Sequence, residues 1–323
     1  MRRLGLWGTA ILVCSSVCAV GEERSEWLRD SRYGVFVHFL GGGEGWKQQV
    51  DAFNVNVFAA AMKEVQAAYV IFTLGQNSGY YCSPNAAYDR YCGYSAGDHC
   101  SRRDLPMELA EALGEYGIRL MLYLPSRSPQ QDKQAMAGLE DVHEQRPAPQ
   151  AFTGKWSDVI REWSLRYGPK VSGWWFDGAY NTAGWDDLSK PHNWNTWAAA
   201  CRAGHPQSIL AFNPGTDLTK AFTALTAQQD YTAGEQNRFE VTPRSHPAPE
   251  GVQWHMLCHL GSRWAKADGP QLDNSAMIAY VRQVNEQGGV VSIEVNVAND
   301  GTVYGPHLDQ LRAIGAAITK TER

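Results

Sequence analysis

Short β-rich runs alternate with helix-period segments along this chain, and no Pro-, Gly- or Ser-rich linker separates them. That alternation limits the fold more than any other feature. A strand followed by a helix and then another strand builds a parallel sheet with helices packed outside it. The expected strands are Tyr33–Phe39, Ala68–Leu74, Arg119–Leu124, Val171–Phe176, Ser208–Phe212 and Gly289–Val297, with weaker candidates at Gln228–Tyr231 and Val252–Cys258. The expected helices are Val57–Gln66, Leu105–Tyr116, Lys155–Tyr167, Asn193–Ala203, Asn274–Gln287 and His307–Ile318. Asp104 is placed to cap the second of these and Gly117 to stop it. About eight alternations predict an α/β architecture, a single (β/α)8 TIM-type barrel. A doubly wound sheet would want G-x-G-x-x-G after the first strand, and Gly41-Gly42-Gly43 lacks that spacing. The chain stops just after the last helix, so no C-terminal β-sandwich is expected.

In such a barrel the chemistry sits where strands end. Trp174-Trp175-Phe176-Asp177-Gly178 is an apolar aromatic run that ends in one carboxylate followed by a glycine. The strand would hold the acid rigidly, and Gly178 would let the chain turn at once. The competing reading is that Asp177 caps the next turn. Taken in order, the strand-end positions are His38, Gln76 and Asn77, Tyr123 and Arg127, Asp177, Asn213, Glu235, Trp254 and His255, and Glu294 and Asn296. Two carboxylates on different strands with aromatic platforms suit glycoside hydrolysis. The set contains no Ser-His-Asp pattern and no metal-ligand cluster, so neither metal nor organic cofactor is expected. Trp46 reads as a platform or a lid. Tyr123 reads as core, Glu294 and Asn296 as structural, and Trp254 and Trp264 as pocket or core alike.

The formal net charge of −5 and the lack of a basic patch argue against a nucleic-acid partner. Arg2 and Arg3 followed by the apolar run Leu4–Val17 read as a signal peptide over residues 1–21, which leaves 22–323 as the catalytic domain. No later segment is apolar enough to span a membrane. The expectation is an exported protein, secreted or periplasmic. Cys82, Cys92 and Cys100 lie close together in a polar loop, and in an oxidising compartment two of the three are expected to form a disulfide bond. A zinc site using His99 and Cys100 is the rival, but it lacks paired ligand spacing. Cys201 and Cys258 read as core thiols.

Several segments carry a family resemblance. Arg32-Tyr33-Gly34-Val35-Phe36-Val37-His38-Phe39, Ala68–Thr73, Trp175–Gly178, Asp230–Glu235, and Gly288-Gly289 through Asn296 with Asp300-Gly301 follow one another along the chain. In that order they resemble the α-L-fucosidases of glycoside hydrolase family 29. The resemblance implies a retaining exo-glycosidase acting on a terminal α-linked L-fucose or related sugar. It assigns Asp177 as nucleophile and Glu235 as general acid/base, with Glu240 as second choice, and His38 as a sugar ligand. Two departures bear on specificity. Gln76-Asn77 stands where family members usually carry a His-His pair, and His255 stands where a glutamate is common. The expected substrate contacts are His38, Trp46, Gln76, Asn77, Trp175, Asn213, Trp254 and His255, with a glycan or oligosaccharide as the partner. The rivals are the same fold acting on another sugar, such as an α-L-galactoside, and a barrel that binds glycan without cleaving it.

Overall fold

A computed structural model describes residues 23–179, 185–239 and 248–318. Seven strands form one sheet: β1 Tyr33–Val37, β2 Tyr69–Thr73, β3 Arg119–Pro125, β4 Val171–Asp177, β5 Ile209–Phe212, β6 His255–His259 and β7 Val290–Glu294. All pairings are parallel, in the order β5-β4-β3-β2-β1-β7-β6. Each strand is buried nearly end to end, as expected when both faces of a parallel sheet are covered.

The closed eight-stranded TIM barrel expected from the alternation is not what forms. The sheet is an open, strongly curled half-barrel whose edges lie 9 Å apart. The reason lies between β5 and β6. The sixth strand expected at Gln228–Tyr231 is reduced there to an isolated parallel bridge, Tyr231–Gln253, and the segment just beyond it to another, Glu235–Leu257. Gly234 breaks its ladder with φ 66°. A Cβ at that position would stand 2.0 Å from the His255 carbonyl oxygen, so only glycine fits. The seventh expected strand, Val252–Cys258, is shifted to His255–His259.

Two apolar layers follow from the two-residue period of the strands. Side chains such as Val35, Phe72, Leu122, Trp174 and Ile293 face outward and pack under the helices. Phe36, Tyr69, Ile71, Met121, Trp175, Ile209, Tyr231 and Leu257 fill the inside of the curl. The helices form where expected within a few residues. Asp104 accepts a hydrogen bond from the Met107 amide as N-cap of Leu105–Gly114. The helix Gln150–Tyr167 starts earlier than the expected Lys155. Among the described residues no helix is long and apolar enough to cross a membrane. The segment expected as a signal peptide, 1–21, lies outside the described residues.

The expected disulfide is also absent. Cys82, Cys92, Cys100, Cys201 and Cys258 are all free and buried. All three cysteines of the polar loop belong to the buried core, and no pair of them lies at a disulfide distance. The Cys82 thiol packs 3.3 Å from the Leu74 carbonyl oxygen. Burial pushes the Cys92 thiol up to about 12 and the Cys82 and Cys100 thiols upward as well. Such thiols are protonated and unreactive. His99, the partner in the zinc reading, instead lies 3.2 Å from Asp132 Oδ2 and is stacked between Tyr80 and Tyr94. These five cysteines are therefore expected to resist a thiol reagent in the native protein and to react once it is unfolded. The melting temperature should be the same with and without dithiothreitol. A fall of several degrees in reductant would mean that a disulfide contributes after all.

Candidate active site

The two-residue period that builds the inner layer also builds the site above it. On β4, Trp175 faces inward, so Asp177 faces inward one step higher. Phe36 places His38 in the same way, just past the end of β1. On β7 the inward row runs Val290, Ser292, Glu294, and on β6 it runs His255, Leu257, His259. Asn213 follows Ala211 past the end of β5, and Glu235 follows Ala233 on the irregular segment. Polar side chains thus crown an apolar interior at the C-terminal end of the sheet.

Asp177 is held from three sides. Its Oδ2 accepts from the Tyr123 hydroxyl at 2.7 Å. Its Oδ1 accepts from the Gly178 amide at 2.8 Å and from Asn213 Nδ2 at 2.9 Å. Directly after the carboxylate the chain turns away at Gly178 with φ 69°, a conformation glycine adopts freely. The same Asn213 Nδ2 donates to Glu235 Oε2 at 2.5 Å. One buried amide therefore bridges both carboxylates. The Glu235 carboxyl is pushed up to about 7, first by burial and next by the nearby Asp177 charge, against opposing effects of Asn213 and His38. The pair thus consists of a carboxyl held from three sides and a neighbouring acid whose pKa is raised into the neutral range.

The opposite wall is built from β1, β6 and β7. His38 Nδ1 lies 3.4 Å from Glu294 Oε1, which also accepts from the Ala265 amide at 3.0 Å. The His38 ring is wedged against Phe36, Tyr123 and Trp264, with centroids 4.8, 5.8 and 5.5 Å away. Trp264 also packs on His259 at 4.5 Å, and its indole donates to Asn237 Oδ1.

The other expected site residues divide. Trp175 is buried beneath the carboxylates, stacked on Tyr123, with its indole donating to the Ala233 carbonyl. It is a floor rather than a sugar platform. Gln76 donates to the Phe39 carbonyl at 3.4 Å and ties the loop after β2 to the loop after β1. Asn77 is exposed in the same loop. Trp46 is buried, and one of its faces stacks on Tyr80. His255 and Trp254 lie at the start of β6, the opposite end of the sheet from Asp177. His255 is wholly buried between Thr232 and Ser292, and burial lowers its pKa to about 4. Trp254 packs on Phe222. Arg127 forms a buried ion pair with Asp141 rather than meeting a site carboxylate. Glu240, the second choice for acid/base, lies outside the described residues. Tyr123, read as core, Glu294, read as structural, and His259, not singled out, stand at the site, as does Trp264, read as pocket or core alike. For Glu294, counting in steps of two along β7 from Val290 would have found it.

The family model for alpha-L-fucosidase matches residues 44–322. No curated protein sequence matches. Among solved structures the chain is similar to the endo-fucoidan hydrolase MfFcnA4 from glycoside hydrolase family 107, with a TM-score of 0.69 and 16% identity over 94% of this chain and 54% of that one. It is also similar to the endo-fucoidan hydrolase P5AFcnA of the same family, with a TM-score of 0.66 and 15% identity over 92% and 94%. A third is the glycoside hydrolase family 29 alpha-L-fucosidase from Bacteroides thetaiotaomicron, trapped as a covalent intermediate, with a TM-score of 0.64 and 15% identity over 92% and 74%. The chain spans about half the length of the first of these. At such identities the solved structures speak for the fold, and the family model speaks for kinship: the chain belongs to the alpha-L-fucosidase family of glycosidases.

Proposed function

We propose that this protein is a retaining glycoside hydrolase that removes a terminal α-linked L-fucose or closely related sugar. Asp177 attacks the anomeric carbon, and Glu235 protonates the leaving oxygen. The observation that carries the reading is the Asn213 bridge. Its two hydrogen bonds, 2.9 and 2.5 Å long, keep Asp177 Oδ1 and Glu235 Oε2 within about 5.4 Å of each other. That is compatible with the roughly 5–5.5 Å separation of a retaining pair and favours it over the about 6.5–9.5 Å of an inverting one.

The electrostatics supply both halves of the cycle. Asp177 is aligned by Tyr123, Gly178 and Asn213, so its free lone pairs need no reorganisation before attack. Glu235 enters the first step as an acid because burial and the Asp177 charge keep its proton on. Once Asp177 is esterified to the sugar, its charge is gone. The Glu235 pKa then falls, and the same carboxylate takes a proton from the incoming water. The bland rival, Asp177 as a turn cap, explains its bond to the Gly178 amide but not the shared amide of Asn213.

The deciding experiment follows hydrolysis of 4-nitrophenyl α-L-fucoside and α-L-galactoside by proton NMR. Retention predicts the α-anomer of the free sugar as the first product. The β-anomer appearing first would overturn the mechanism. Sugar binding without turnover across the panel would favour the glycan-binding barrel. The choice between sugars rests on the loop after β2, where Gln76 spends its amide on the Phe39 carbonyl. Export of the chain, with residues 1–21 removed, is part of the same proposal and is checked by N-terminal sequencing of the mature protein.

A further inference from the structure

Glu294 is a buried carboxylate for which the mechanism has no task. Its side chain is 1% exposed. Oε1 receives the Ala265 amide and faces His38 Nδ1, while Oε2 is buried and has no partner among the described residues. A buried carboxylate with so few donors is costly unless it is paired. The group facing it is an imidazole that cannot swing away, because Phe36, Tyr123 and Trp264 hold the ring on three sides. Nδ1 is turned to Glu294, so Nε2 is the nitrogen left for the site. His38 also lies close enough to Glu235 to act on its charge.

We propose that Glu294 is a positioning residue: it accepts the Nδ1 proton of His38, sets the tautomer and orientation of the ring, and thereby presents Nε2 to a hydroxyl of the bound sugar. In a histidine the hydrogen bond made by one ring nitrogen decides what the other can offer. A neutral ring with Nδ1–H engaged on the carboxylate has a lone pair at Nε2, which accepts from a sugar O–H. The ligand class this wall takes is therefore an unesterified hydroxyl. A sulfate ester at that ring position has no proton to give and would stand near the Glu294 charge. The inference rests on the reading that the carboxylate layer is a sugar site, and it adds a determinant on the wall opposite Asp177.

Two measurements test it. The first needs no turnover: nitrogen NMR of histidine-labelled protein reads which ring nitrogen of His38 carries the proton. Nδ1–H is expected in the unaltered protein, with a shift toward Nε2–H in Glu294→Ala. The second is a kinetic cycle on 4-nitrophenyl α-L-fucoside with His38→Ala, Glu294→Ala and the double variant. Glu294→Ala, which removes the acceptor for Nδ1–H, is expected to raise KM roughly ten-fold with kcat nearly unchanged, the loss of about one well-aligned hydrogen bond to the sugar. On the His38→Ala background it should cost nothing more. Nε2–H in the unaltered protein, a tautomer indifferent to Glu294, or additive losses in the cycle would overturn the proposal and leave Glu294 as an anchor for the Ala265 amide alone. If Glu294→Ala does not fold, the spectrum of the unaltered protein still decides. If the unaltered protein turns over no fucoside, the glycosidase reading fails while the spectrum continues to test the pair.

Discussion

Asp177→Ala is expected to lower kcat on an aryl α-L-fucoside by roughly 10⁴-fold, equivalent to about 5 kcal/mol of barrier. On the proposed mechanism the substitution removes the atom that would form the covalent bond. Tyr123 and Asn213 point at the carboxylate as donors, and Glu235 is the carboxyl that would serve the leaving group. The fold should survive, since Asp177 lies at a strand end and is only half-buried. Azide gives the sharper result. The small anion can enter the space left by the carboxylate and attack the anomeric carbon, releasing a glycosyl azide of inverted configuration. Turnover that persists in Asp177→Ala without azide would remove Asp177 as nucleophile.

The second large effect belongs to Glu235, and its signature is selectivity among leaving groups. Glu235→Ala should cost about 10²–10⁴-fold on substrates whose leaving oxygen needs a proton, and far less on an activated nitrophenyl glycoside, where departure needs little help. Equal losses on both would point to another acid. The pH dependence follows from the same residue. Its carboxyl is held at about 7, so the acid form required for the first step is present below that pH and is lost as pH rises through it. On a poor leaving group, kcat/KM should therefore fall above about pH 7, and that basic limb should vanish in Glu235→Gln. Because the Asp177 charge is one cause of the elevation, Asp177→Asn should move the Glu235 titration to lower pH. A carbon NMR titration of Glu235 in that variant reads the shift directly. An unchanged midpoint would mean that burial alone sustains it.

Local sequence carries Asp177 far more legibly than it carries its surroundings. Asp177 ends an apolar strand and precedes a glycine, and each of these marks shows within a few residues. Glu235 follows a weak strand candidate in the sequence and takes its acid/base role from the family resemblance, while the structure puts it on an irregular segment. The shared amide of Asn213 could not be read at all, since it joins residues 36 and 22 positions away. Tyr123 looked like core because its ring is core, and only its hydroxyl reaches Asp177. Trp254 and His255 count among the expected substrate contacts, on an expected strand Val252–Cys258 that starts three residues too early. The observed β6 starts at His255, and that register puts both at the far end of the sheet.

The sequence by itself determined the parallel α/β order of the chain, the burial of its strands and the delivery of Asp177 to a strand end. Those properties depend on residue type and on a period of two or 3.6, which neighbours in the chain display. Only the tertiary structure decided that the sheet stays open, that the cysteines remain apart and that Glu294 faces His38. Closure depends on whether one segment can sustain a regular ladder beside strands far away in the chain, and at Gly234 it cannot. The cysteine and Glu294 contacts depend on which direction buried side chains take inside a folded core, which no local pattern encodes.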